Sequence, residues 1–142
     1  MAPGSVYPKG LGVSKAGHRS FALFAHVTWH TSRREHSVRQ TDVATVTRAL
    51  LECAARNSVH VLAQAVMADH VHVLVSFRPD LSLMPFIRDA KSESARRVNG
   101  PHRRRLTWAR GYFAGSVSHS HIPTVRAYLA RQPLRHPDSV PA

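Results

Sequence analysis

Two histidines one residue apart, His70-Val71-His72, lie inside the apolar run from Val66 to Val75. Residues i and i+2 of a strand point to one face, so these imidazoles project side by side while Val71 and Val73 point to the other. Paired imidazoles go most of the way to a divalent-metal site, which needs about three protein ligands. Imidazoles buried only for packing would need hydrogen-bond partners of their own. Two surface histidines on a half-exposed strand fit the same spacing. The chain holds eleven histidines, so chance pairs are expected, and His119-Ser120-His121 repeats the spacing in an expected loop before a helix cap.

A second arrangement with chemical potential is Tyr128 and Gln132. Four residues apart on an expected helix, they share a face. A phenol attacks a phosphodiester competently when a metal polarises the phosphate and stabilises the leaving oxygen. Gln132, on the same side, offers a third, oxygen ligand. Packing of Tyr128 with Val125 and Leu129 is the competing use of that face.

These residues need elements to position them. Phe21 to Thr31 is rich in aromatic, Val and Thr residues and reads as a strand. From Thr41 or Asp42, Val43, Val46, Leu50 and Cys53 recur at helical spacing up to Asn57. His60 to Met67 and His70 to Phe77 read as two strands joined by a tight turn at Ala68-Asp69. Ser82 begins a helix carrying Leu83, Phe86, Ile87, Ala90 and Val98, with Pro85 tolerated in its first turn. Asn99-Gly100-Pro101 stops it. Leu106 to Val117 is expected to form a short hairpin turning near Ala109 to Gly111. Pro123 opens a last helix, Thr124 to about Arg131, ended by Pro133. The order β-α-β-β-α-β-α predicts an α+β fold. It is a ferredoxin-like split β-α-β antiparallel sheet with helices on one face, plus a C-terminal helix bearing the tyrosine. Residues 1–20 are expected to be a flexible arm, 21–136 a single domain, and 137–142 a disordered tail.

The 142 residues suffice for one core without staples. A lone Cys53 among apolar neighbours excludes an intramolecular disulfide and suits a reducing interior. No stretch nears the ~18 to 20 apolar residues of a membrane span, and residues 1–17 lack the order of a secretion signal. No membrane association and a cytoplasmic location are expected. Charge is the informative bulk property: twenty Lys+Arg against eight Asp+Glu leave a net +12. Arg96, Arg97, Arg103, Arg104, Arg105 and Arg110 fall in one stretch without an acid. Such a field draws a polyanion by displacing its counterions, which makes nucleic acid the leading partner. A metal hydrolase using both His-x-His pairs is disfavoured, because no carboxylate flanks His119 or His121.

Taken together, Ala68-Asp69-His70-Val71-His72-Val73-Leu74-Val75 and Tyr128-Leu129-Ala130-Arg131-Gln132 resemble the single-tyrosine HUH transposases of the smallest bacterial insertion sequences. These belong to the superfamily of REP-associated tyrosine and IS200-like transposases. The resemblance extends over roughly Phe21 to His136. It takes in Trp29-His30-Thr31 with Arg33-Arg34, Lys91-Ser92, and Trp108 followed by Arg110-Gly111-Tyr112-Phe113. It implies a metal-dependent, single-strand DNA transposase with His70, His72 and Gln132 as metal ligands and Tyr128 as the nucleophile. The tyrosine would form a 5′-phosphotyrosine link and free a 3′-hydroxyl at DNA hairpin ends. Mg2+ is the implied metal, Mn2+ the alternative, and a homodimer the implied assembly, in the cytoplasm at the nucleoid of a bacterium or archaeon. Arg33, Arg34 and Lys91 join the basic stretch as expected DNA contacts. The alternative is a domesticated or inactive relative that binds or processes palindromic repeat DNA or RNA without transposition. Two departures bear on geometry. Ala68 stands where the family often has proline, which predicts a looser hairpin turn. Pro133 disfavours helical geometry at Gln132, and His136 is the candidate substitute ligand.

Overall fold

The apolar alternation of the first strand segment produces β1, Leu23–His30, in the computed structural model, which describes residues 22–142. The expected arm 1–20, and Phe21, lie outside the described residues. There follow α1 (Val43–Arg56), β2 (His60–Val66), β3 (His70–Phe77), α2 (Met84–Asn99), β4 (Phe113–Ser116), α3 (Ile122–Ala130) and the short α4 (Gln132–Arg135). The sheet is antiparallel in the order β2-β3-β1-β4. This is the ferredoxin-like split β-α-β arrangement that the element order predicts, with the tyrosine helix added at its end.

Strand alternation divides the interior in two. Val71, Val73 and Val75 of β3, with Ala25, Val27 and Trp29 of β1, face α1 and α2. There they join Val46, Leu50, Phe86, Ile87 and Ala90 in the main core. Leu74 and Phe24 face the other way and pack with Ile122 and Leu129 of α3. Helices therefore cover β3 on both sides, which is why it is buried along almost its whole length. On the main-core side Trp29 is fully buried, and Trp108 meets it edge to face at 6.1 Å. Such aromatic pairs add about 0.5–1.5 kcal/mol beyond the area they bury.

Three local expectations differ from the structure. The first is the hairpin over Leu106 to Val117. Thr31 bridges Trp108, and Thr28, Val27 and Ala25 pair with Phe113, Ala114 and Ser116. The segment is thus one edge strand running along β1, interrupted by a bulge. Three steps from Thr28 to Thr31 face five from Phe113 back to Trp108. Gly111 sits in that bulge at φ +81°, a conformation natural only to glycine. Lys91 Nζ holds it open by donating to the carbonyls of Ala109 and Gly111 at 2.8 and 2.9 Å, so the two halves cannot fold onto each other. The other sheet edge is interrupted as well, by a register shift in β2 between Val61 and Ala63.

The second is the turn at Ala68-Asp69, which is tied down rather than loose. Met67 N donates to His70 O, Thr31 N to Asp69 O and Val38 N to Ala68 O, at 2.8, 2.8 and 3.0 Å. Ala68 N donates to Ser139 O at 2.6 Å, a bond that proline at this position could not make. The third is residues 137–142, expected to be a disordered tail. Pro137–Ser139 form a 3-10 turn, and Gln40 N donates to Ala142 O at 2.6 Å.

Candidate active site

His70 and His72 project from β3 onto the face covered by α3, opposite Val71 and Val73, as strand alternation requires. Their rings lie 4.8 Å apart, centre to centre, nearly perpendicular. Both residues are buried, at 8% and 7% exposure. In the antiparallel register His30 pairs with His70, Thr28 with His72 and His26 with Leu74. Three more side chains of β1 therefore reach the same face.

Each ring of the pair has one nitrogen engaged from behind. His70 Nδ1 lies 2.7 Å from Asp69 Oδ1. The carboxylate accepts, so Nδ1 carries the proton and Nε2 keeps its lone pair. His72 Nδ1 lies 2.9 Å from His26 Nε2 and 3.2 Å from Thr28 Oγ1. Backing of this kind fixes the tautomer and ring orientation of a ligating histidine.

Electrostatics favour the ligating form. Burial, assisted by the neighbouring His70 and His26, pushes His72 down to about 3, so it is neutral at ordinary pH, as a metal ligand must be. Burial lowers His26 as well. For Asp69 burial acts upward, but the His70 hydrogen bond and charge bring the carboxyl below its usual range. Arg34 Nη1 adds a weak contact at 3.9 Å.

Tyr128, on α3, sets its ring 5.7 Å from that of His72 and 6.1 Å from that of His26, edge-on to both. It is 36% exposed, reachable by a substrate from solvent. Arg135 lies over the same ring at 5.7 Å. Gln132 keeps its place despite Pro133. The helix breaks at Arg131 (φ −92°, ψ 0°), and Pro133 falls in the first turn of α4, where a missing N–H costs nothing. Gln132 is fully buried, and its amide lies near enough to His72 to favour that ring's charged form. Neither amide atom completes a hydrogen bond of proper geometry. A buried amide without partners costs about 1–3 kcal/mol. Unpaired and set beside the neutral His72, it fits a two-histidine, one-amide ligand set.

His136 is exposed and stands 6.5 Å from His70, ring to ring. Among the described residues no three His, Cys, Asp or Glu side chains are grouped to hold an ion by themselves. His119 and His121 form a 3-10 turn before α3, with Ser118 Oγ 2.9 Å from His121 Nδ1. Among the described residues they belong to no group of three His, Cys, Asp or Glu side chains that could hold an ion.

The basic residues divide by what they already hold. Lys91 clamps the β4 bulge. Arg96 and Arg97 both pair with Glu93, and Arg97 also with Glu52. Arg105 makes two bonds to the Asp42 carboxylate, at 2.7 and 3.0 Å, and one to Ser37 O. Arg33, Arg103, Arg104 and Arg110 are exposed and have no ion-pair partner among the described residues. Arg33 and Arg34 follow β1 at the rim of the histidine site, both with positive φ, 56° and 57°.

Sequence reasoning missed His26 and Thr28. Their signal was available, since His26, Thr28 and His30 alternate with Val27 and Trp29. Only the register of β1 on β3, however, brings them to His72.

The family model described as transposase, IS200-like, matches residues 19–132. Over 79 residues the chain is 35% identical to the ISDra2 transposase TnpA of Deinococcus radiodurans. That match covers 55% of this chain and 56% of the relative, so the chain spans little more than half the length of that curated protein. A crystal structure of a protein from Deinococcus radiodurans R1 described as a transposase superposes with a TM-score of 0.62 at 25% identity. It covers 89% of this chain and 98% of that one. A REP-associated tyrosine transposase bound to a REP hairpin superposes with a TM-score of 0.66 at 14% identity, over 80% of this chain and 68% of that one. This last likeness is one of fold alone.

Proposed function

Because the chain belongs to the family of IS200-like transposases, we propose that it nicks and rejoins single-stranded DNA at hairpin ends through a 5′-phosphotyrosine at Tyr128. The observation that carries this reading is the meeting, on one sheet face, of a back-supported histidine pair, an unpaired buried amide and a partly exposed tyrosine.

His70 Nε2, His72 Nε2 and the Gln132 amide oxygen would hold the ion, Mg2+ first and Mn2+ as the alternative. When bound, it polarises the scissile phosphate and stabilises the leaving oxygen. The protein does the rest. Tyr128 Oη attacks phosphorus, forming the tyrosyl ester to the 5′ side. The bond to the 3′ oxygen breaks, and that oxygen takes up a proton to balance the one lost by the phenol. Asp69 holds His70, and His26 with Thr28 holds His72, so neither ring has to reorient as charge develops. A 3′-hydroxyl attacking a phosphotyrosine reverses the step and joins strands without ATP. Arg33 and Arg34, at the rim, are suited to the flanking phosphates.

One chain brings its own tyrosine to its own histidine pair, so we read the chemistry as acting in cis. The homodimer that the resemblance implies is not needed to complete the site. No described helix is long and apolar enough to cross a membrane.

The test is incubation with a labelled single-stranded hairpin oligonucleotide and Mn2+. A denaturation-resistant adduct on the downstream fragment, joined through its 5′ phosphate, is expected, abolished in Tyr128→Phe. An adduct that survives Tyr128→Phe overturns the nucleophile. Hairpin binding with no adduct under any divalent metal shifts the reading to a binding protein.

A further inference from the structure

Gln132 sits on an element with little of its own to hold it. It is the only buried residue of α4, where Pro133 and Arg135 are exposed and Leu134 is 83% exposed. Its amide completes no hydrogen bond, and the chain leaves helical geometry at Arg131, between α3 and α4. The fixed points of α4 lie in the backbone that follows. His136 N donates to Gln132 O at 2.8 Å, and Ser139 N donates to His136 O at 3.0 Å. From there the chain crosses to the turn between β2 and β3. Ser139 O accepts from Ala68 N and Ala142 O from Gln40 N, both at 2.6 Å.

That turn depends on outside support. Two-residue hairpin turns that follow the strand twist place a residue at positive φ, and neither Ala68 nor Asp69 does so. The turn is held instead by the bonds from Thr31 N, from Val38 N and from Ala68 N to Ser139 O. Asp69 belongs to the turn, whereas His70 already belongs to β3. The 2.7 Å bond between their side chains therefore keeps its geometry only while the turn stays fixed against the strand. Ser139 also brings its hydroxyl near enough to the Asp69 carboxylate to favour its charged form, the form that accepts from His70 Nδ1. One stretch of chain thus joins Gln132 to the support of His70.

We propose that residues 136–142 are a positioning strap for the ion site, with Ser139 as its buckle. The strap holds Gln132 at one end and the Asp69–His70 pair at the other, so the three ligands stand ready before the ion arrives. Its effect on ion affinity rests on the ligand set given under the proposed function. Its hold on the Asp69–His70 bond does not.

The experiment cuts the strap in two ways in the full chain. Ala68→Pro removes the N–H that Ser139 O accepts. It suits the turn, because a first central residue with negative φ sits at about −60°, the angle that proline fixes. Deletion of residues 137–142 removes the strap itself. Urea unfolding establishes that each variant is folded, and either one carries the test alone where the other is not. In metal-free, 15N-labelled wild type the His70 Nδ1–H resonance is expected to be visible, its proton kept from exchange by Asp69. Both variants are expected to lose it. By calorimetry, Mn2+ affinity is expected to fall about tenfold in each. Combining the two changes is expected to cost nothing more, because both cut one tie. An unchanged His70 resonance and unchanged Mn2+ affinity in both variants would overturn the strap and leave the ligand set standing. Losses that add in the combined variant would overturn it as well, since tail and turn would then act separately. A wild type that takes up no Mn2+, yet loses the His70 resonance on either change, keeps the strap and loses the metal reading.

Discussion

At Gln132 two requirements pull in opposite directions. The side chain is fully buried and its amide atoms have no formed hydrogen bond, a cost to the fold that a thioether of similar length would not carry. Gln132→Met is therefore expected to stabilise the metal-free protein by about 1–3 kcal/mol. The same variant is expected to lose the rise in Tm that Mn2+ gives wild type. Melting curves with EDTA and with Mn2+ check both halves. A Gln132→Met protein that still gains Tm from the metal removes Gln132 from the ligand set. His26 makes a companion test. It touches His72 at Nδ1 and no ion, so His26→Ala is expected to weaken Mn2+ binding about 10–100-fold by calorimetry. Unchanged affinity would leave Thr28 as sufficient support for that ring.

Among the elements, the N-terminus of α1 and the segment from Arg103 to Arg105 depend on one carboxylate. Asp42 accepts from Arg39 N at 2.9 Å and from both terminal nitrogens of Arg105. Burial acts to raise its pKa, but the bonds from Arg105 and Arg39 and their charges bring it below the ordinary 3.8. A carboxylate whose folded pKa is depressed adds stability that is fully present above 3.8. That contribution is lost as pH falls through the lower folded value. Asp42→Ala is expected to cost about 1.5–3 kcal/mol at pH 7 in urea unfolding. Its deficit against wild type is expected to shrink steadily below pH 4. A constant deficit down to pH 2 would show that Asp42 acts by packing alone. Elements with strong local signals were legible in the sequence. β3 has the expected bounds, and α1, β2 and α2 fall within a residue or two of theirs. The edge strand was not, because Leu106 to Val117 has the alternation and glycine of a hairpin. What decides otherwise is Lys91, fifteen residues upstream of Leu106, donating into the bulge. The tight turn at Ala68 was illegible for a like reason, since the N–H that fixes it finds its acceptor at Ser139.

For the molecule as a whole, the +12 charge makes DNA binding an ionic-strength measurement. Arg33, Arg34, Arg103, Arg104 and Arg110 are the exposed cations expected to meet phosphates. About five such contacts on single-stranded DNA predict a log–log salt slope near −3.5, and roughly a hundredfold loss of affinity from 50 to 200 mM salt. A slope near −1 would mean that most of them stay in solvent. Net charge and the histidine and tyrosine motifs were readable without coordinates. Which arginines remain free was not, because Glu52, Glu93 and Asp42 neutralise their neighbours only after folding. The two interrupted sheet edges also act at this scale, on the folded protein's behaviour toward its own copies. An unbroken strand edge is a template on which identical chains stack into fibrils, and a bulge denies it the continuous ladder it needs. With β2 shifted at Val61 to Ala63 and β4 cut to four residues beside Gly111, neither rim can seed such growth. Crowded on DNA, folded copies can stand side by side and remain dispersed.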